Sequence, residues 1–155
     1  SEIPLAMEQL YLVTAGDHTL PAEPIAFAEA ASRRLIMPAS GNPLRAFVEN
    51  AAAQAGLTLN VALEVDGPAP RRNAILAGLG STIFGAHSVH GAERRTGIVA
   101  RPIVQPTLYR PIIFGARKGL DPALVARIRN VLAQAFSTFG GMEVARFEEP
   151  ASAAS

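Results

Sequence analysis

Apolar positions along the chain follow two rhythms, and together they outline its elements. Residues Glu8 to Thr14 (EQLYLVT) form a short apolar and aromatic run that suits a buried strand. Gly16 to Pro24 gathers turn formers and reads as a loop, Pro24 to Ser32 predicts a short helix, and Arg34 to Met37 a second strand. The clearest helix start is Ser40-Gly41-Asn42-Pro43. Asn42 caps the first-turn amides there, and Pro43 has no amide to leave unsatisfied. Leu44, Phe47, Val48, Ala51 and Ala55 recur at helical spacing, and Gly56 marks the end. Leu57 to Val65 reads as a strand and Asp66 to Pro70 as a turn. Arg71 to Ala77 then predicts a helix closed by Gly78-Leu79-Gly80, and Ser81 to Phe84 a short strand. Ala86 to Glu93 is a short helix or loop, Gly97 to Val104 contains a strand, and Thr107 to Ala116 contains another with a bend at Pro111. The longest helix runs from Asp121 to Phe136, with Leu124, Val125, Ile128, Val131, Leu132 and Phe136 as its apolar stripe. Strands alternating with helices predict an α/β domain whose sheet is mixed and largely parallel.

Composition narrows this picture. A chain of 155 residues fits one domain, and 49% hydrophobic residues allow a packed core. Charged residues make up only 17%, against about 25% in ordinary soluble domains, so part of the surface is expected to be covered. The formal net charge of +1 gives no broad field for a polyanion. The pairs Arg33-Arg34, Arg71-Arg72 and Arg94-Arg95 are scattered and read as isolated, solvated arginines. The absence of cysteine excludes a disulfide scaffold, a thiolate metal site and a cysteine nucleophile, and fits a reducing cytoplasm. No apolar run approaches the ~20 residues that span a bilayer, and no secretory signal is visible at the N-terminus.

Candidate chemistry is sparse. His87, His90 and Glu93 share one face if helical, but the Gly-flanked segment lacks a recognised zinc spacing, so no metal site is expected. No nucleophile elbow occurs, and nothing places His18, His87 or His90 beside a serine and a carboxylate, so no enzyme is expected. Gly78-Leu79-Gly80 follows a helix rather than a strand, which contradicts a dinucleotide fingerprint. One segment stays open. Met37 to Asn42 joins a strand to a helix start, where free amides and the Ser40 and Asn42 side chains can favour an anion, or can serve capping alone.

The segments PLAMEQLYLVTAGDH, RLIMPASGNPLRAFVENAAAQAGLTLNVALEVDG, ILAGLGSTIF and YRPIIFGARKGLDPALVARIRNVLAQAF, taken in order, resemble the effector-binding domain of LysR-type transcriptional regulators. The wording LYLVT-x-GD is similar to the nitrogen assimilation control subgroup. The specificity lies in order and spacing over roughly Ile3 to Phe136, not in any single motif. The resemblance implies a periplasmic-binding-protein-like lobe, with residues 1–148 forming an incomplete effector-binding domain and 149–155 a disordered tail. It implies that most of a first lobe and a DNA-binding helix-turn-helix lie outside this chain.

By the same resemblance, a small-molecule effector, expected to be an organic or inorganic anion, sits between two lobes. Ser40, Gly41 and Asn42, the turn at Asp66 and Gly67, and the strand end at Phe84 and Gly85 would face it. Homo-oligomers are implied, with DNA contacted only through the absent domain, no membrane partner and no cofactor. Two departures bear on the pocket: Gly67-Pro68-Ala69-Pro70 stands where the family usually begins a helix with polar and apolar residues, and Gly85 stands where a proline is common in the family. The competing reading is a fragment of a periplasmic solute-binding protein serving a transporter, since that fold is similar.

Overall fold

The computed structural model describes residues 2–90 and 95–145. Its organising element is β1 (Glu2–Ala15), a 14-residue strand that serves two sheet regions. The second half of β1 pairs antiparallel with β5 (Thr82–Gly85) and β6 (Ile98–Val104). The first half pairs antiparallel with β7 (Tyr109–Gly115) and β8 (Met142–Val144), with a register shift between Pro4 and Ala6. Leu10 to Val13 are buried without a break because strands flank them and helices cover both faces.

Around that second half lies the main lobe. β2 (Ile25–Ala26) adds to β6 in parallel, and β3 (Leu35–Met37) pairs in parallel with β4 (Val61–Glu64). A parallel bridge joins β3 to the start of β5: Ile36 N donates to Ser81 O at 2.7 Å, and Ser81 N donates to Arg34 O at 2.9 Å. The lateral order is therefore β4-β3-β5-β1-β6-β2, and among these strands β1 alone runs against the rest. The lobe sheet is mixed and largely parallel, in line with the expectation.

Strand alternation divides the core into two halves. Leu10, Leu12, Leu35, Met37 and Ile83 point to one face, where Phe27 and Ala30 of α1 (Phe27–Ser32) and Leu44, Val48 and Ala52 of α2 (Pro43–Gln54) pack. Tyr11, Val13, Ile36 and Phe84 point to the other, against Ile75 of α3 (Pro68–Leu76) and Ala86 and Val89 of α4 (Ala86–Val89). The last helix, α5 (Pro122–Phe136), is capped by Asp121, whose carboxylate accepts from Ala123 N at 3.0 Å.

Differences from the sequence expectation have local causes. β1 begins at Glu2 rather than Glu8, because β7 and β8 extend its ladder. β8 follows Gly140-Gly141 as a short strand without an alternating run to announce it. α3 begins at Pro68, three residues before Arg71, because Gly67 takes a positive φ of 84° and Pro68 is preset for the first helical position. Strand pairing within Leu57 to Val65 is confined to Val61–Glu64. The α5 stripe is not buried within the described residues: Ala133 packs inward, while Leu124, Ile128, Val131 and Leu132 are exposed. The tail at 149–155, Arg94 and Glu93 lie outside the described residues.

Candidate functional site

β3, β4 and β5 run in one direction, so their carboxyl ends reach the same edge of the lobe. The loop before α2, the turn before α3 and the start of α4 meet there. In open α/β sheets such an edge is where ligands lie. A cavity of about 180 Å³ opens at it. Asn42, Gly67, Phe84 and Gly85, all expected at the site, line it. Ser40 and Gly41 lie in the exposed turn before α2 and do not line it. Asp66 is exposed too, and its carboxylate accepts from Ala39 N at 2.9 Å, tying the end of β4 to the loop after β3.

The helix start that offered free amides is already engaged. Asn42 Oδ1 accepts from Leu44 N at 2.9 Å and from Arg45 N at 3.4 Å, while Ala46 N reaches Asn42 O at 2.9 Å. Pro43 has no N–H. Capping consumes the donors of this first turn, so the positive character of the cavity comes from side chains instead.

Two arginines supply it. Arg71 and Arg110 both line the cavity. Arg71 was expected to be a solvated arginine, and this is corrected: it is 5% exposed. It shares the inner face of α3 with Ile75, one turn later. Its guanidinium stacks over Phe84, with Cζ 4.8 Å from the ring centroid. Its hydrogen bonds are long: 3.4 Å to Gly67 O, 3.3 Å to Thr82 Oγ1 and 3.5 Å to Ile83 O. Among the described residues no carboxylate lies within ion-pairing distance of it. Burial lowers its pKa, as does the charge of Arg110, while Asp66 acts in the opposite direction.

Arg110 sits directly across from Glu8 in the β1–β7 ladder. It donates from Nη2 to Glu8 Oε2 at 2.9 Å, and its buried Nε has no hydrogen-bond partner among the described residues. Glu8 itself is fully buried. Its Oε1 accepts from His87 N at 3.0 Å and also meets His87 Nδ1. Burial, the largest single influence, pushes the Glu8 carboxyl up, but the hydrogen bonds from His87 and Arg110 outweigh it and hold the group below its ordinary 4.5. Gly85 explains its own identity: a Cβ there would overlap the Glu8 carboxylate. Glu8 pairs with one cavity arginine, while Asp66 acts on the other by charge without an ion pair among the described residues.

The metal candidates are put to other uses. His87 binds Glu8, and His90 packs edge-on against Tyr11 with ring centroids 5.8 Å apart. Among the described residues no group of three metal-ligating side chains converges.

A family model for the LysR substrate binding domain matches residues 1–137. The chain belongs to this family. The match is to the family as a whole, without a subgroup. The fold of this LysR domain is similar to that of OxyR in its reduced form, with 28% identity and a TM-score of 0.63 over 87% of this chain and 62% of that one. It is similar to the regulatory domain of CcmR from Synechocystis PCC6803 in complex with 2-PG (19% identity, TM-score 0.67, 87% of this chain and 66% of that one). It is also similar to the effector binding domain of QuiR in complex with shikimate (15% identity, TM-score 0.66, 88% and 64%). Against a Corynebacterium glutamicum OxyR mutant, the LysR domain spans 43% of the other chain's length. Among curated proteins no sequence matches.

Sequence reasoning missed Arg71, Arg110, Glu8 and His87 as members of this site. For Arg71 a signal existed, since it stands four residues before Ile75 on the face that turns inward. For Arg110 and Glu8 none did, because their meeting depends on the β1–β7 register across a separation of 102 residues.

Proposed function

We propose that this LysR domain is the ligand-sensing part of a transcriptional regulator and that its effector is a small organic or inorganic anion held at the Arg71–Arg110 cavity. The observation that carries this reading is the buried guanidinium of Arg71, which has no carboxylate partner among the described residues, beside a buried Arg110 Nε that has no acceptor among them. A buried charge left without a partner is costly, and an acidic ligand supplies both the missing charge and the missing acceptor. The complexes of CcmR with 2-PG and of QuiR with shikimate support a small-molecule role for this fold.

The mechanism is a shift of populations. A ligand bound at the sheet edge, next to the long β1 that links both sheet regions, favours the arrangement that binds it more tightly. In the whole protein that arrangement alters how subunits pair, and so how DNA-binding segments outside this chain sit on a promoter. The domain binds its ligand without transforming it, works in the cytoplasm and acts in a homo-oligomer. Among the described residues no helix is long and apolar enough to cross a membrane. The exposed Leu124, Ile128 and Val131 of α5 support a further covering surface in the assembled regulator. Membership of the LysR family favours this reading over a solute-binding protein of a transporter.

Thermal-shift titration of the full-length protein against acetate, benzoate, succinate, inorganic phosphate and a phosphate ester tests the proposal. At least one of these anions is expected to raise the melting temperature, and Arg71→Gln and Arg110→Gln to abolish that rise. A shift that survives both substitutions would refute the site.

A further inference from the structure

Next to the arginine cavity lies a second space of about 250 Å³, and Pro68, Phe84, His87 and Ser88 line both. The two therefore adjoin across these four residues and have different walls. The inner part presents Arg71 and Arg110. The outer part is bounded by Pro68, Ala69 and the Phe84 ring, at the first turn of α3.

A helix start facing a ligand edge would ordinarily offer amides to a second acidic group. This one keeps a single uncapped amide, that of Ala69. Pro68 and Pro70 have no N–H, and Gly67 provides no side-chain cap. The α2 start across the hollow has spent its amides on Asn42. Arg72 also borders the outer part, and its Nη2 donates to Thr96 O at 3.4 Å. The side chains of Pro68, Ala69 and Phe84 give this part a hydrocarbon wall, and that wall rewards removal of apolar ligand surface from water.

We propose that the effector is amphiphilic: one acidic group engaged by Arg71 and Arg110, joined to a compact hydrocarbon body that rests on Pro68, Ala69 and Phe84. This rests on the proposed anion site and specifies its ligand class. A polyanion of small size, such as phosphate, leaves the outer wall unused. A dicarboxylate sets its second charge against proline and alanine.

Calorimetric titration of the full-length protein with acetate, cyclohexanecarboxylate, benzoate, succinate and inorganic phosphate tests the ligand class. The two ring carboxylates are expected to bind at least tenfold more tightly than acetate, succinate or phosphate. Ala69→Glu, an exposed change in the first turn of α3, is expected to weaken the ring carboxylates at least tenfold and leave acetate within twofold. Ala69→Leu, which narrows the outer part without adding charge, is expected to weaken them in the same selective way. Phosphate, succinate or acetate binding as tightly as the rings would overturn the proposal, and so would ring binding indifferent to both Ala69 variants. Arg71→Gln separates the two levels. If it removes acetate binding while no ring preference exists, the apolar subsite is wrong and the anion site stands. If it changes nothing, or if none of the five probes binds, the anion site itself is wrong.

Discussion

Two sets of arginines in this chain differ in what surrounds them, and the contrast separates charge that is paired on the spot from charge that is turned inward. Arg33 and Arg45 are satisfied on the spot. Arg33 pairs with Glu29 one turn away at 2.7 Å, and Arg45 lies between Glu49 at 2.8 Å and Glu64 at 2.6 Å. Glu49 and Glu64 raise the Arg45 pKa by hydrogen bonding, as expected for a cation with anionic neighbours. Arg71 and Arg110 turn instead into the sheet edge, where Glu8 serves Arg110 and no described carboxylate serves Arg71. Helix pairs of the first kind contribute a few tenths of a kcal/mol and saturate their charges. In the second kind a buried cation, Arg71, has no ion pair among the described residues.

The strongest way to break this contrast is at the one carboxylate on the inward side. Glu8→Ala removes the partner of Arg110 and of His87 in one step. Breaking a buried ion pair costs about 3–5 kcal/mol, so urea denaturation is expected to show a loss of that order. Gly85→Ala attacks the same carboxylate sterically, since the added methyl overlaps it. Overpacking of this type costs about 1–3 kcal/mol, and the same denaturation series reads it. Asn42→Ala uncaps α2, the helix that carries Arg45. It is expected to cost about 1 kcal/mol while leaving Arg71 in place. Arg33→Ala, on the surface side of the comparison, is expected to cost less than about 0.5 kcal/mol.

Acid sharpens the same contrast. The folded Glu8 carboxyl titrates below its ordinary 4.5. The stability it contributes is therefore present above that value and is lost as pH falls through the lower, folded one. Denaturation midpoints of the wild type are expected to decline below about pH 4.5, more steeply than those of Glu8→Gln. Parallel declines would show that other carboxylates govern the acid limb.

Most of the framework was legible because it is written in local periodicity. Asn42-Pro43 and Asp121-Pro122 mark helix starts by capping chemistry that needs no tertiary information, and the structure uses both. The alternation of Leu10 and Leu12 against Tyr11 and Val13 marks the faces of β1. The site was legible only in part. Asn42, Gly67, Phe84 and Gly85 follow from their positions at strand ends and helix starts. Glu8 and Arg110 do not, because a ladder partner far along the chain is not encoded in either residue's neighbourhood. The α5 stripe teaches the complementary lesson. Its periodicity identified an apolar face, but periodicity does not say what covers a face, and Val131 is 66% exposed.

The measurement that bears most directly on the arginine contrast is a side-by-side titration of the full-length protein, Arg71→Gln and Arg45→Gln with the anion that gives the largest thermal shift. Loss of one partner from a buried, hydrogen-bonded charge pair costs about 2–5 kcal/mol, which is roughly thirtyfold or more in affinity. Arg71→Gln is expected to weaken binding by at least that factor and Arg45→Gln by less than twofold. Equal affinities for Arg71→Gln and the wild type would show that the buried guanidinium is structural, and would contradict the assignment of the effector site to this cavity.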